Sequence, residues 1–127
     1  MKLVIGGCAQ GKLQYVLQKN HLTKEAVWDG VLPDEEEIRT EITVINHFHR
    51  WVKRCLAEGG CPEREVQLFV ERCKNCIMIS DEIGNGIVPV EVFEREYRER
   101  TGRILVDLAR EAEEVERVLC GIGQKIK

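Results

Sequence analysis

The sequence predicts an α/β protein, a three-layer sandwich built around a mostly parallel sheet. Three observations predict it. Short apolar, β-branched runs end in glycine or acidic residues, as buried parallel strands do. Longer segments between them carry apolar residues at i, i+3 and i+4. The two kinds alternate along the chain, the pattern of strands covered by helices. The 127 residues suit one core, so a single domain over 1–127 is expected.

Met1 to Ile5 reads as a buried strand closed by Gly6-Gly7. Gly11 to about Asn20 reads as a helix, with Leu13, Val16 and Leu17 on one face. Glu25 to Trp28 reads as a short second strand, ended by the turn residues Asp29-Gly30 and Pro33. Asp34 to about Glu58 reads as one long helix. Asp34 is its N-cap, Glu35 to Glu37 favour its positive end, and Ile38, Ile42, Ile45, His49, Val52 and Leu56 keep helical spacing. Gly59-Gly60 stops it, and Pro62 opens another helix that runs to about Lys74.

Cys76 to Ser80 reads as a clear buried strand, followed by Asp81-Glu82 and the glycine-bearing loop Ile83 to Pro89. Val90 to about Glu113 reads as helical, with Gly102 as a joint between two helices. Val115 to Cys120 reads as a further strand, then a turn at Gly121 to Gly123 and a short terminal segment.

Composition narrows the function. A net charge of −3 gives no basic field to attract nucleic acid. No apolar run approaches the ~18 residues of a membrane span. The N-terminus lacks the regions of a secretory signal, so a cytoplasmic protein is expected. Six cysteines without a signal read as reduced thiols rather than a disulfide framework. Cys73 and Cys76 form C-x-x-C, half of a zinc or redox pattern with no obvious second half.

The motif that carries chemistry is Gly6 to Lys12, GGCAQGK, which spells the phosphate-loop pattern G-x-x-x-x-G-K. Its glycines let backbone N–H groups turn toward phosphate oxygens, and the next helix adds its positive end. Gly6, Gly7, Cys8, Ala9, Gln10, Gly11, Lys12 and Leu13 are therefore the candidate phosphate site. Lys12 supplies the mobile charge for the terminal phosphates of GTP or ATP. The Ser or Thr hydroxyl that would ligate Mg²⁺ is absent, because Leu13 stands there. Asp29, Asp81 and Glu82 follow candidate strands, where a metal-coordinating acid would sit. Asp29 or Asp81 is the candidate metal ligand, and Lys12, Asp81 and Glu82 are the catalytic candidates.

GGCAQGK near the start, DEIGNGIVP over Asp81 to Pro89, Thr101-Gly102 and the terminal GIGQKIK together resemble the bifunctional adenosylcobinamide kinase / adenosylcobinamide-phosphate guanylyltransferase family of cobalamin biosynthesis. The likeness is strong over about 1–17 and 75–127 and poor between. It implies a nucleotide-binding fold of the RecA-like, phosphate-loop type. It further implies phosphorylation of the aminopropanol arm of cobinamide, guanylyl transfer through a histidine, and association into a homo-oligomer. By position, Glu82, Gly84, Asn85, Gly86 and Pro89 would line the site beside the phosphate loop.

Several residues depart from that pattern. Leu13 replaces the loop serine, Asp81 stands where the family has Asn, and Leu105 and Val106 replace a polar pair. The shorter chain loses the region after the first helix that holds the family's histidine. His47 and His49 align with the next element. Two residues apart on a helix, they point in different directions, and His49 reads as a packed core residue. Neither they nor His21 is assigned the guanylyl group. Nucleotide binding is thus expected to outlast guanylyl transfer and to exceed kinase activity. The alternative is an inactive relative that binds nucleotide or corrinoid, or serves assembly.

Overall fold

The computed structural model describes residues 1–84 and 86–127. Strand β1 (Lys2–Gly6) lies at the middle of a six-stranded sheet. Helix α1 (Lys12–Lys19) leads to β2 (Val27–Asp29) at one edge and then to β3 (Thr43–Asn46). Helices α2 (Phe48–Ala57) and α3 (Pro62–Arg72) lead to β4 (Cys76–Asp81). Helix α4 (Val92–Glu111), β5 (Glu114–Leu119) and β6 (Ile122–Lys125) complete the chain. The sheet order is β2-β3-β4-β1-β5-β6. All neighbours are parallel except β5 and β6.

Strand alternation divides the core in two. Leu3, Ile45, Met78 and Val115 face Phe48, Val52, Phe69, Ile104 and Leu108 of α2, α3 and α4. Val4, Val44, Ile77, Ile79 and Val118 face Val16, with Leu13 and Tyr15 packed beside it. Helices cover both faces, as the three-layer reading requires. No described helix is long and apolar enough to cross a membrane.

The long helix expected over 34–58 does not form. Glu35–Glu37 makes one 3₁₀ turn, with the Glu37 carboxylate accepting the Asp34 N–H at 3.0 Å. Thr43–Asn46 is a strand, buried at all four positions. The apolar residues of β3 and α2 fall in helical phase by accident. The signal that should have prevailed is the β-branched run Thr43-Val44-Ile45, which suits a central strand. His47 turns the corner into α2 with φ at 52°.

Two further expectations are corrected. Gly102 is no joint: α4 runs 20 residues through it. Two packed turns of helix on either side hold it, through Tyr97, Thr101, Ile104 and Leu108 in the core. The terminal segment is a strand, β6, joined to β5 by Cys120 and Gly121 at φ 51° and 75°. Two positive φ values in a two-residue loop match the twist of a hairpin. Gly123 lets β6 lie on α1, since a Cβ there would come within 2.1 Å of the Tyr15 ring.

Candidate functional site

The ends of β1, β2, β3 and β4 meet at one edge of the sheet, the edge where open α/β sheets hold ligands. Gly6 closes β1, and the loop to Gly11 feeds directly into α1. A Cβ on Gly6 would lie 2.5 Å from the Val118 carbonyl oxygen, so only glycine lets the loop leave the sheet here. Gln10 fastens the far side of the loop to the β5–β6 turn. Its carbonyl accepts from Gly121 N–H and its side-chain oxygen from Cys120 N–H, both at 2.8 Å. Cys8 and Ala9 form the exposed crest between Gly7 and Gln10.

Lys12 is 7% exposed. Its ammonium donates to the Gly7 carbonyl at 2.5 Å and pairs with Asp81 Oδ1 at 2.7 Å. A cation is thus held at the mouth of the glycine loop by a carboxylate that a bound phosphate would displace. Asp81, the last residue of β4, also engages His49. Its N–H donates to His49 Nδ1 at 3.2 Å, and Oδ2 lies 3.4 Å from Nε2. That geometry suits a neutral ring with its proton on Nε2. Burial lowers the His49 pKa from its ordinary value; Asp81 opposes the shift, while His47, Arg50 and Lys12 add to it.

Leu13 is half-buried and packs against the apolar cluster under α1, which includes Val4 and Val16. Its side chain therefore contributes packing where a hydroxyl would contribute an oxygen. Among the described residues, Asp81 is the one carboxylate paired with Lys12. Among the described residues no three His, Cys, Asp or Glu groups converge as a metal cage. A Mg²⁺ ion here would rest on Asp81, the ligand's own phosphates and water, a donor set that such ions accept.

Glu82 does not join Asp81. Its N–H donates to the Gly6 carbonyl at 2.9 Å, which links the two loops. Its carboxylate forms a forked pair with Arg117, at 3.0 Å to Nε and 3.1 Å to Nη2. The second loop is anchored to α4. The Arg98 guanidinium donates to the carbonyls of Gly84, of Gly86 at 3.1 Å and of Ile87 at 2.7 Å. Gly84 and Gly86 are exposed and Pro89 is half-buried. Asn85 lies outside the described residues.

Asp29 is drawn into a cluster that sequence reasoning missed. Its Oδ1 accepts from Asn46 Nδ2 at 3.0 Å and lies 2.5 Å from His47 Nδ1. The His47 and His49 rings meet edge to face, with centroids 5.7 Å apart. The expectation that these histidines diverge is overturned, because His47 sits at the strand-to-helix corner rather than on the helix. The signal was available in Asn46 and His47, polar residues closing a β-branched run. His21 lies just beyond the end of α1, with φ at 55°. The thiols of the C-x-x-C pair are buried, and burial pushes Cys76 up to about 12, which favours inert thiols.

The family model for cobinamide kinase / cobinamide phosphate guanyltransferase matches residues 19–126. The match runs through the middle of the chain, where the motif likeness is poor, and begins after the glycine loop, where that likeness is strong. The bifunctional adenosylcobalamin biosynthesis protein CobU of Salmonella typhimurium is 39% identical over 67 residues, which covers 50% of this chain and 37% of that protein. CobU of Escherichia coli matches with the same identity and coverage. The aligned stretch thus spans little more than a third of either relative.

Proposed function

This chain belongs to the cobinamide kinase / cobinamide phosphate guanyltransferase family, and from that premise we propose that the crevice over β1 and β4 binds the phosphates of GTP or ATP for cobinamide phosphorylation in cobalamin biosynthesis. The observation that carries the reading is the Lys12–Asp81 pair at the mouth of the glycine loop. A lysine this buried, at the start of a helix and behind a glycine turn, suits polyphosphate better than solvent. Bound phosphate oxygens would replace Asp81 and the Gly7 carbonyl around the ammonium.

The remaining residues set the limits of the chemistry. Mg²⁺, when bound with the nucleotide, neutralises charge on the transferring phosphoryl group. Leu13 withholds the usual oxygen, so the ion depends on Asp81, and transfer to cobinamide is slow. Guanylyl transfer is not assigned to His47 or His49. The packing of Leu13 into the core favours a second reading, a relative that binds nucleotide without transferring phosphate.

Calorimetric titration with GTP and with ATP, with and without Mg²⁺, tests the proposal. Binding in the micromolar range is expected, weakened at least tenfold by Lys12→Ala. Binding that ignores that substitution, or no binding at all, would overturn it. Turnover of cobinamide by a protein that binds nucleotide separates the first reading from the second.

A further inference from the structure

Beside the nucleotide crevice stands a pair that phosphate binding does not use. We propose that His47 is the general base of the reaction, accepting through Nε2 the proton of the alcohol that receives the phosphoryl group, while Asp29 orients its ring. The inference rests on the kinase reading above and adds a residue to it.

The protonation of the ring follows from distance. Two acceptors cannot approach to 2.5 Å without a proton between them, so the contact of His47 Nδ1 with Asp29 Oδ1 places N–H on Nδ1. Asn46 Nδ2 then donates to the same carboxylate oxygen at 3.0 Å, and its 3.2 Å approach to His47 Nδ1 is proximity only. In the neutral ring the lone pair is thereby left on Nε2. Among the described residues, Nε2 has no hydrogen-bond partner, and the side chain is 30% exposed. A carboxylate fixing one nitrogen so that the other can take a proton is the arrangement of catalytic triads.

His49 cannot fill this role. Both its nitrogens face Asp81, and it is 6% exposed. It is a positioning residue for Asp81.

Placement supports the assignment. β3 and β1 flank β4, so their ends lie two strand spacings apart, about 10 Å. That gap suits a phosphoryl group held at Lys12 with an alcohol oxygen beyond it, within reach of His47. The backbone supports it as well. His47 holds φ at 52°, a left-handed conformation that strains a residue with a β-carbon, and strain of this kind gathers at working sites.

The step balances. The alcohol oxygen forms a bond to the γ-phosphorus, and its proton passes to His47 Nε2. The bond from that phosphorus to the β–γ bridging oxygen breaks, and the electron pair leaves with the nucleoside diphosphate.

The test uses the full chain with GTP or ATP, Mg²⁺ and cobinamide, and reads nucleotide affinity beside kcat and KM. His47→Asn keeps a residue that tolerates positive φ, so the fold should survive. His47→Gly does the same and leaves a space the size of imidazole. Removal of a general base typically costs 10²–10⁴-fold. The expected result is a kcat about a hundredfold lower in His47→Asn, with nucleotide affinity within about threefold of wild type. Added imidazole should restore part of the rate to His47→Gly, and Asp29→Asn should lower kcat with little effect on KM.

A His47→Asn rate near wild type overturns the proposal. Failure of imidazole to rescue His47→Gly does so too, since it marks a structural role. Wild-type protein that binds nucleotide but transfers no phosphate removes the base and leaves the nucleotide site standing. Absence of nucleotide binding removes both.

Discussion

Replacing Asp81 by Asn should tighten nucleotide binding when metal is absent and stop doing so when Mg²⁺ is present. In the free protein Lys12 is neutralised by Asp81 at 2.7 Å. At an effective dielectric of about 20, that pair is worth roughly 6 kcal/mol of gross Coulomb attraction. Most of this does not return on binding, because phosphate replaces the carboxylate and both charges are partly buried already. If about a quarter returns, Asp81→Asn gains about 1.5 kcal/mol, or tenfold in affinity. Loss of repulsion between the carboxylate and the polyphosphate acts in the same direction. The asparagine oxygen still accepts from Lys12, so the loop should keep its shape. With Mg²⁺ in excess, the lost carboxylate is a lost metal ligand, and the gain should vanish or reverse. Calorimetry with GTP in EDTA and in Mg²⁺, on both proteins, reads the two arms. Metal-free affinity that is unchanged or weaker in Asp81→Asn would refute the displacement argument. An equal gain in both buffers would refute the role of Asp81 toward the cation.

Leu13→Ser should lower the melting temperature by about 5 °C through lost packing against Val4 and Val16, while increasing the effect of Mg²⁺ on nucleotide affinity several-fold. Unchanged metal dependence would show that the loop position does not reach the cation. Away from the site, the Arg100 guanidinium grips Glu63 at 2.8 and 2.7 Å and holds its carboxyl down to about 2, from 4.5. The folded pKa lies below the unfolded one, so this contribution is complete above pH 4.5 and is lost as pH falls toward 2. The Glu63 side chain is 40% exposed, and solvent screening reduces the nominal shift to about 1 kcal/mol. Denaturant melts at pH 6 and pH 3 should show somewhat more than half of that loss in wild type, and a smaller loss in Arg100→Gln.

What could be read from the sequence follows how local each signal is. β1, the glycine loop and α1 are legible because a β-branched run, two glycines and a helical face succeed one another within twenty residues. β4 is legible for the same reason, as five consecutive buried residues from Cys76 to Ser80 before two acids. The stretch from Asp34 to about Glu58 reads as one helix because Ile38, Ile42, Ile45, His49 and Val52 keep helical phase across a strand and a helix. Periodicity cannot see the corner at His47, where a left-handed residue resets the phase. β6 lacked the Asn-Gly signature of its turn, and its one large apolar residue, Ile122, is exposed at the sheet edge. Lys12 and Asp81 were each legible as candidates. Their pairing, and the capture of Asp29 by His47, depend on a sheet order that brings residues 12, 29, 47 and 81 to one edge.

That sheet order also explains why the site has two carboxylates with separate partners. A single aspartate serving both Lys12 and His47 would have to choose between neutralising a cation and fixing a tautomer. Asp81 closes β4 on the same face as Ile77 and Ile79, the face that α1 covers, so Lys12 at the start of α1 meets it directly. Asp29 closes β2 in register with Asn46 of β3, so the residue that follows Asn46 is delivered to its carboxylate. Moving either acid one position along its strand would turn it to the other face and break its pair. The charge-neutralising acid and the ring-orienting acid are therefore fixed by strand parity. His49, in the first turn of α2, meets one ring edge to face and lies against the other carboxylate, and so links the two pairs.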